Sequence, residues 1–254
     1  MEQYREFASV YDIFMNEVPY DVWLSFVKEV WQKEGIRPKS ICDVGCGTGN
    51  LLLPLAKDGY DVMGVDLSFD MLCQAERKLR KEGFTVFLSE QDMTEMYLPK
   101  KADCILCLCD SLNYLVEDGE LSAAFGCFRE ALKEDGLLFF DLNTAFKFSH
   151  ILGQNTFAAT AESAAYIWEN NYNEEERINE YDVNFFLRRS DGSYVRTEEF
   201  HYERAFLWEE VEQALKENGF AVTAVYEDYT FVPAREESER ICVVARPIKK
   251  NTED

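Results

Sequence analysis

The run Ile41-Cys42-Asp43-Val44-Gly45-Cys46-Gly47-Thr48-Gly49 sets the strongest limit on how this 254-residue chain can fold. A short β-type stretch ends in a carboxylate and enters a loop with glycine at every second position. The loop leads into a helical pattern over residues 50–57. Strand, glycine turn and helix start make a site of the nucleotide-binding kind, because residues without a Cβ let the backbone approach a ligand closely. A dinucleotide loop carries glycines at its first, third and sixth positions and holds a pyrophosphate. Counting from Gly45, the sixth position here is Asn50. The Asp43 carboxylate also repels phosphate, whereas it attracts a cationic amine.

The pattern on either side agrees with an α/β fold. Residues 4–33 read as two helices separated near Val18-Pro19, with Val22, Phe26, Val27 and Val30 on one face of the second. Strands are predicted at 41–44, 61–65, 85–88, 104–108 and 136–141, and helices at 50–57, 69–82 and 119–133. Such alternation implies a parallel sheet with right-handed crossovers. Beyond about residue 157 the rhythm changes to three long strands, 165–173, 178–189 and 194–204. Asp191-Gly192 joins the last two as a tight hairpin. Alternation in Asp182-Val183-Asn184-Phe185 and Phe200-His201-Tyr202-Glu203 predicts one covered face. A helix at 207–218 and strands at 221–226 and 241–246 close the fold, and the polar tail 247–254 is expected to fray.

Composition narrows the partners. Forty-eight acidic against 26 basic residues give a net charge of −22. Nucleic acid and anionic membrane surfaces are therefore not expected partners, since binding them depends on Lys and Arg displacing counterions. No apolar run approaches the ~18 residues a spanning helix needs, and the first residues lack a signal peptide's basic start and apolar stretch. Eight cysteines in such a chain read as reduced thiols of a cytoplasmic protein. With two histidines, no metal site is expected. The chain is expected to act as a monomer or homodimer.

The segment from Asp43 to Gly49 resembles the first motif of class I methyltransferases, which use S-adenosyl-L-methionine, a cofactor with a sulfonium, an α-ammonium and no phosphate. The resemblance is strong over residues 40–143 and weak over the final two strands. It implies a seven-stranded Rossmann-like α/β fold with an antiparallel β insertion between strands five and six. Residues 1–37 would then form a helical lid, 38–150 and 205–248 the methyltransferase core, and 151–204 the insertion capping the substrate side. The chain is most similar to a subgroup of small bacterial methyltransferases, with sugar-amine and glycine-type N-methyltransferases as looser relatives.

That resemblance implies roles residue by residue. Gly45, Cys46 and Gly47 let the backbone approach the methionine portion, and Asp43 attracts its ammonium. Asp66, 23 residues after Asp43, accepts both ribose hydroxyls with Leu67 beside it; Ser68 is the better N-cap for the following helix. Asp92 accepts from the adenine amino group and Met93 packs on the ring, although an Asp there also suits a cap on the turn before Thr94. Leu108, at the end of the fourth strand, joins the cofactor set. The opening segment Phe7-Ala8-Ser9-Val10-Tyr11-Asp12 resembles one that folds over the cofactor, which implies cofactor-binding roles for Tyr11 and Tyr4.

The acceptor is expected where ligands meet open α/β sheets, at the carboxyl ends of the strands. Cys109-Asp110-Ser111-Leu112-Asn113-Tyr114 lacks the Asn/Asp-Pro-Pro-aromatic run of enzymes that methylate adenine N6 or glutamine amides. Asp110 and Asn113 are candidates for orienting an acceptor, or equally for capping the next segment. Asp141 and Asn143 close the fifth strand at the same rim. In the insertion, Trp168-Glu169-Asn170 and His201-Tyr202-Glu203-Arg204 resemble positions facing the substrate cavity. His201, the candidate base, shares a face with Glu203. An acidic, aromatic insertion suits a cationic amine, while Glu174-Glu175-Glu176 reads as a solvated turn. Methyl transfer is an in-line displacement in which the protein mainly aligns the reactants, so no catalytic triad is needed. The expected activity is transfer of a methyl group to a nitrogen or oxygen of a small-molecule acceptor. The alternative is a non-catalytic regulatory protein that binds the same cofactor.

Overall fold

The computed structural model describes Asp12, Met15 and residues 18–249. Seven strands form one sheet: β1 (Ser40–Val44), β2 (Asp61–Asp66), β3 (Phe87–Glu90), β4 (Ala102–Cys107), β5 (Leu132–Asn143), β10 (Phe220–Glu227) and β11 (Arg240–Pro247), in the order β10-β11-β5-β4-β1-β2-β3. Only β11 runs against its neighbours. The chain walks outward from β1 to β2 and β3, then returns to the other side of β1 as β4. That reversal opens a crevice at the carboxyl ends of β1 and β4.

Alternation along the strands sorts the core into two layers. Cys42, Val44, Ile105, Leu138 and Phe140 face α4 (Glu120–Ala131) and α5 (Trp208–Glu217). Ile41, Cys104, Leu106, Leu137 and Phe139 face α1 (Tyr20–Lys33), α2 (Leu52–Lys57) and α3 (Phe69–Lys81). Phe139 and Phe140 are both fully buried although adjacent, because each layer takes one ring. Cys104 and Cys107 likewise fall in opposite layers, so they cannot chelate together.

Between β5 and α5 sits a separate antiparallel sheet of four strands, in the order β6 (Thr156–Thr160), β7 (Ala164–Asn173), β8 (Ile178–Arg188) and β9 (Tyr194–Arg204). Three had been expected. β6 carries no sequence signal because Thr-Phe-Ala-Ala-Thr offers one large apolar side chain, and what holds it is edge pairing to β7, from Thr156 opposite Glu169 to Thr160 opposite Ala165. Other boundaries shift for similar reasons. β3 lies at Phe87–Glu90, two residues later than its apolar run, since pairing with β2 carries the polar Ser89 and Glu90 into the sheet. β5 begins at Leu132, because Leu132 pairs with Ala102 before an irregularity restores the register at Cys104 and Leu137. No described helix is long and apolar enough to cross a membrane.

Candidate active site at the carboxyl edge of the parallel sheet

The glycine loop is tied to the next strand by its own backbone. Gly45 and Cys46 both donate to the Val65 carbonyl, at 2.8 and 3.0 Å, and Gly47 donates to Asp66 Oδ2 at 2.7 Å. Gly45 and Gly47 hold φ values of +72° and +51°, in the left-handed region that L side chains rarely adopt. A Cβ on Gly45 would come within 2.4 Å of Ser111 Oγ, so the loop is pressed against the segment that follows β4. A Cβ on Gly47 would meet nothing within 4 Å, so the space on the side-chain side of its Cα is open.

Two carboxylates frame this loop. Asp43 is 1% exposed and its Oδ2 has no hydrogen-bond partner. Burial, reinforced by the charge of Asp66, pushes the Asp43 carboxyl up to about 8. An orphaned, buried acceptor beside a glycine cradle fits the ammonium of an amino-acid moiety, because an unpartnered buried polar atom is costly until something bonds to it. Asp66 is also raised by burial, against the opposing pull of the Ser68, Gly47 and Leu67 N–H groups. Its Oδ1 accepts from Ser68 N at 2.8 Å, while Ser68 Oγ accepts from Met71 N and caps α3. Leu67, next to Asp66, is 70% exposed at the lip. The Cys46 thiol is buried and held well above its ordinary value by burial and by the charges of Asp43 and Asp66.

The remaining cofactor candidates sit apart in character. Leu108 is buried, and Met93 packs against the layer that contains Val65. Asp92 Oδ1 accepts from Thr94 N and Oγ1, at 2.8 and 2.7 Å, so it does cap the turn. Tyr4 and Tyr11 lie outside the described residues. Asp12, which follows Tyr11, is described: its Oδ1 accepts from Thr48 Oγ1 at 2.6 Å and from Asn50 Nδ2 at 3.2 Å.

At the end of β4 two successive non-glycine residues, Cys109 and Asp110, take φ values of +64° and +53°. This turn aims Asp110 back across the sheet. Its N–H donates to Asp141 Oδ1 at 2.9 Å and its Oδ1 accepts from Arg240 Nη2 at 2.7 Å. Arg240 also bonds Asp141 Oδ2, which accepts from Tyr229 OH at 2.8 Å. Burial works against the Asp110 charge, but Arg240 and Lys147 outweigh it and hold the carboxyl below its ordinary value. For Asp141 burial prevails over Arg240 and raises the carboxyl. Asn113 is fully buried and committed to backbone: it donates to the Asn143 and Arg204 carbonyls and accepts from Asn143 N. It therefore stitches β9 to β5.

His201 reaches the rim from β9. Its Nε2 lies 3.1 Å from Glu199 Oε2, and its ring meets the edge of Tyr114 at 5.9 Å between centroids. Glu203, two residues on, is buried and accepts from Tyr181 OH at 2.9 Å and Asn143 Nδ2 at 3.3 Å. Burial and the Asp110 charge hold its carboxyl well above the ordinary value. Sequence reasoning missed Arg240, Lys147 and Tyr229 entirely. Arg240 stands 130 positions from Asp110, and nothing local in Glu239-Arg240-Ile241 marks it.

Comparison with known proteins places the chain in a family. Residues 41–136 match the model of a methyltransferase domain. A protein of Geobacillus sp. (strain WCH70), provisionally named a methyltransferase, is 41% identical over 96% of this chain and 99% of its own length. YqeM of Bacillus subtilis (strain 168), whose methyltransferase name is also provisional, is 35% identical over 97% of this chain and 98% of its own. The crystal structure of an S-adenosylmethionine-dependent methyltransferase from Clostridium acetobutylicum ATCC 824 superposes with a TM-score of 0.88 at 31% identity, covering 97% of this chain and 99% of that one. Sequence likeness along nearly the whole length, and the same fold, make one statement: the chain belongs to the class I S-adenosylmethionine-dependent methyltransferases.

Proposed function

We propose that the protein transfers the methyl group of S-adenosyl-L-methionine to a nitrogen or oxygen of a small-molecule acceptor held between the sheet rim and the antiparallel sheet. The observation that carries this reading is the orphaned, buried Asp43 Oδ2 beside the Gly45–Gly47 peptides. When bound, the cofactor supplies an activated methyl carbon on a sulfonium. Asp43 holds its ammonium, and the Gly45, Cys46 and Gly47 peptides line its methionine portion. Asp66 takes the ribose hydroxyls, Leu67, Met93 and Leu108 flank the adenine, and Asp92 accepts from its amino group. Tyr4 and Tyr11 join the cofactor-binding set. Asp110 and His201 orient the acceptor, and His201 takes its proton where the nucleophile arrives protonated. Asn113 acts indirectly, by holding β9 against the rim. The net charge of −22 supports a small-molecule acceptor over nucleic acid.

The test is a screen of purified protein against pooled metabolites with methyl-labelled cofactor, reading transferred label by mass. A labelled product is the expected outcome. Tight cofactor binding with no labelled product from any pool would favour a non-catalytic regulatory protein instead.

A further inference from the structure

Register assigns one face of the antiparallel sheet unambiguously. Trp168 lies opposite Val183, which lies opposite Glu199; Tyr181 lies opposite His201, and Asn179 opposite Glu203. Paired residues share a face, so these side chains are all on one side. That side is the covered one: Asn179, Tyr181, Glu199 and Glu203 are buried, whereas Glu198, Phe200 and Tyr202 alternate with them facing outward. No lysine or arginine occupies any position of the covered face on β6, β7, β8 or β9. It is instead rich in aromatic rings, of which Tyr172, Tyr181 and Trp168 belong to a cluster with Phe148 and Leu152, and it carries two carboxylates, Glu199 and Glu203.

The face is also incompletely satisfied. The Glu199 side chain is 5% exposed; Oε2 meets His201, but Oε1 has no hydrogen-bond partner. Asn179 Oδ1 and Trp168 Nε1 are likewise buried and unpartnered. Buried polar atoms are normally bonded, so several orphans on one face mark a place where something else supplies the partners. Glu203 is already bonded by Tyr181 and Asn143 and has Lys147 beside it, so Glu199, with one oxygen unbonded, is the carboxylate left to meet a ligand. A carboxylate among aromatic rings favours a cation, through ionic attraction and through the rings' negative faces.

We propose that the covered face of the antiparallel sheet is the acceptor site and takes an organic ammonium group, with Glu199 as its counter-ion. Asn179 Oδ1 offers a further acceptor and Trp168 Nε1 a donor to a polar substituent on the same molecule. The face meets the methyl-transfer rim where β9 is stitched to β5 through Asn113, Asn143 and Glu203. The assignment rests on the methyl-transfer reading for the ligand's fate, not for its binding.

The test titrates cyclohexylammonium chloride, and its neutral isostere cyclohexanol, into the full chain with and without S-adenosylhomocysteine, using saturation-transfer NMR. The cation is expected to bind saturably and at least about tenfold more tightly than the alcohol, the size of one desolvated ionic contact. Glu199→Gln should lose about tenfold in affinity for the cation, while Glu198→Gln, on the outer face, should bind it as wild type does. No saturable cation binding, equal binding of the alcohol, or an unaffected Glu199→Gln would each overturn the proposal. Should that variant fail to fold, the wild-type comparison of cation with alcohol decides. Failure of S-adenosylhomocysteine to bind would instead count against the methyl-transfer reading, and leave the cation titration interpretable.

Discussion

Asp12 Oδ1 accepts the Thr48 hydroxyl at 2.6 Å, and Lys78 Nζ lies 2.9 Å from Asp12 Oδ2. A residue from before α1 is thereby fastened to the last turn of the glycine loop. Burial opposes its charge, but bonds from Thr48, Lys78 and Asn50 hold the Asp12 carboxyl below its ordinary value. Asn50 completes the arrangement by accepting from Lys78 Nζ at 2.6 Å. The side chain that breaks the dinucleotide pattern is thus used to bind Asp12.

Because Asp12 braces Thr48 at the end of the glycine loop, Asp12→Ala should weaken cofactor binding by about 1 kcal/mol, the value of a hydrogen-bonded and partly exposed ionic contact. Titration calorimetry measures this. Unaltered affinity would mean that the anchor does not act on the cofactor.

Asp66→Ala removes the acceptor of both the Gly47 and the Ser68 N–H groups. Cofactor affinity is expected to fall by more than ~1 kcal/mol through lost charge-assisted bonds. Unchanged calorimetric affinity would remove Asp66 from the site.

Asp43 makes binding depend on pH. Its folded-state carboxyl stands at about 8 against an ordinary 3.8, so folding favours the protonated form. The ligand-free protein should therefore lose stability as pH rises between these values, since the unfolded chain ionises more readily there. A bound ammonium reverses the preference and draws Asp43 into its charged form. Below about pH 8, cofactor binding should release a proton and tighten as pH rises. Calorimetry in buffers of different ionisation enthalpy reads that proton, and Asp43→Asn should abolish it.

Gly45→Ala places a Cβ against Ser111 at a φ of +72°. The left-handed backbone alone costs about 1 kcal/mol or more, and the collision displaces the loop, so cofactor binding should be lost. Gly59→Ala is the control: its φ is +89° but its Cβ would meet nothing. That variant should be destabilised by a similar backbone cost and still bind. Urea denaturation and calorimetry together separate the two effects.

Arg240→Met leaves Asp110 and Asp141 facing each other without their shared cation. Breaking a buried ion pair from one side costs about 3–5 kcal/mol. Urea denaturation should show that loss, and Asp141→Asn added to Arg240→Met should recover part of it.

Much of the architecture was legible because its signals are local. Period-two apolar runs and the glycine loop predicted the parallel strands, and the spacing from Asp43 to Asp66 marked two strand ends that converge on one crevice. Ser68 as an N-cap needed only its position before Phe69. β6 was not legible, because an edge strand of small and polar residues is defined by its neighbour's hydrogen bonds. Arg240 meeting Asp110 and Asp141, or Glu203 meeting Tyr181 and Asn143, depended on strands distant in the chain lying side by side. Local sequence determined which residues end their strands at the rim. Only tertiary packing decided which charges are buried together there, because burial and pairing are properties of the assembled layers and leave no trace in residue spacing.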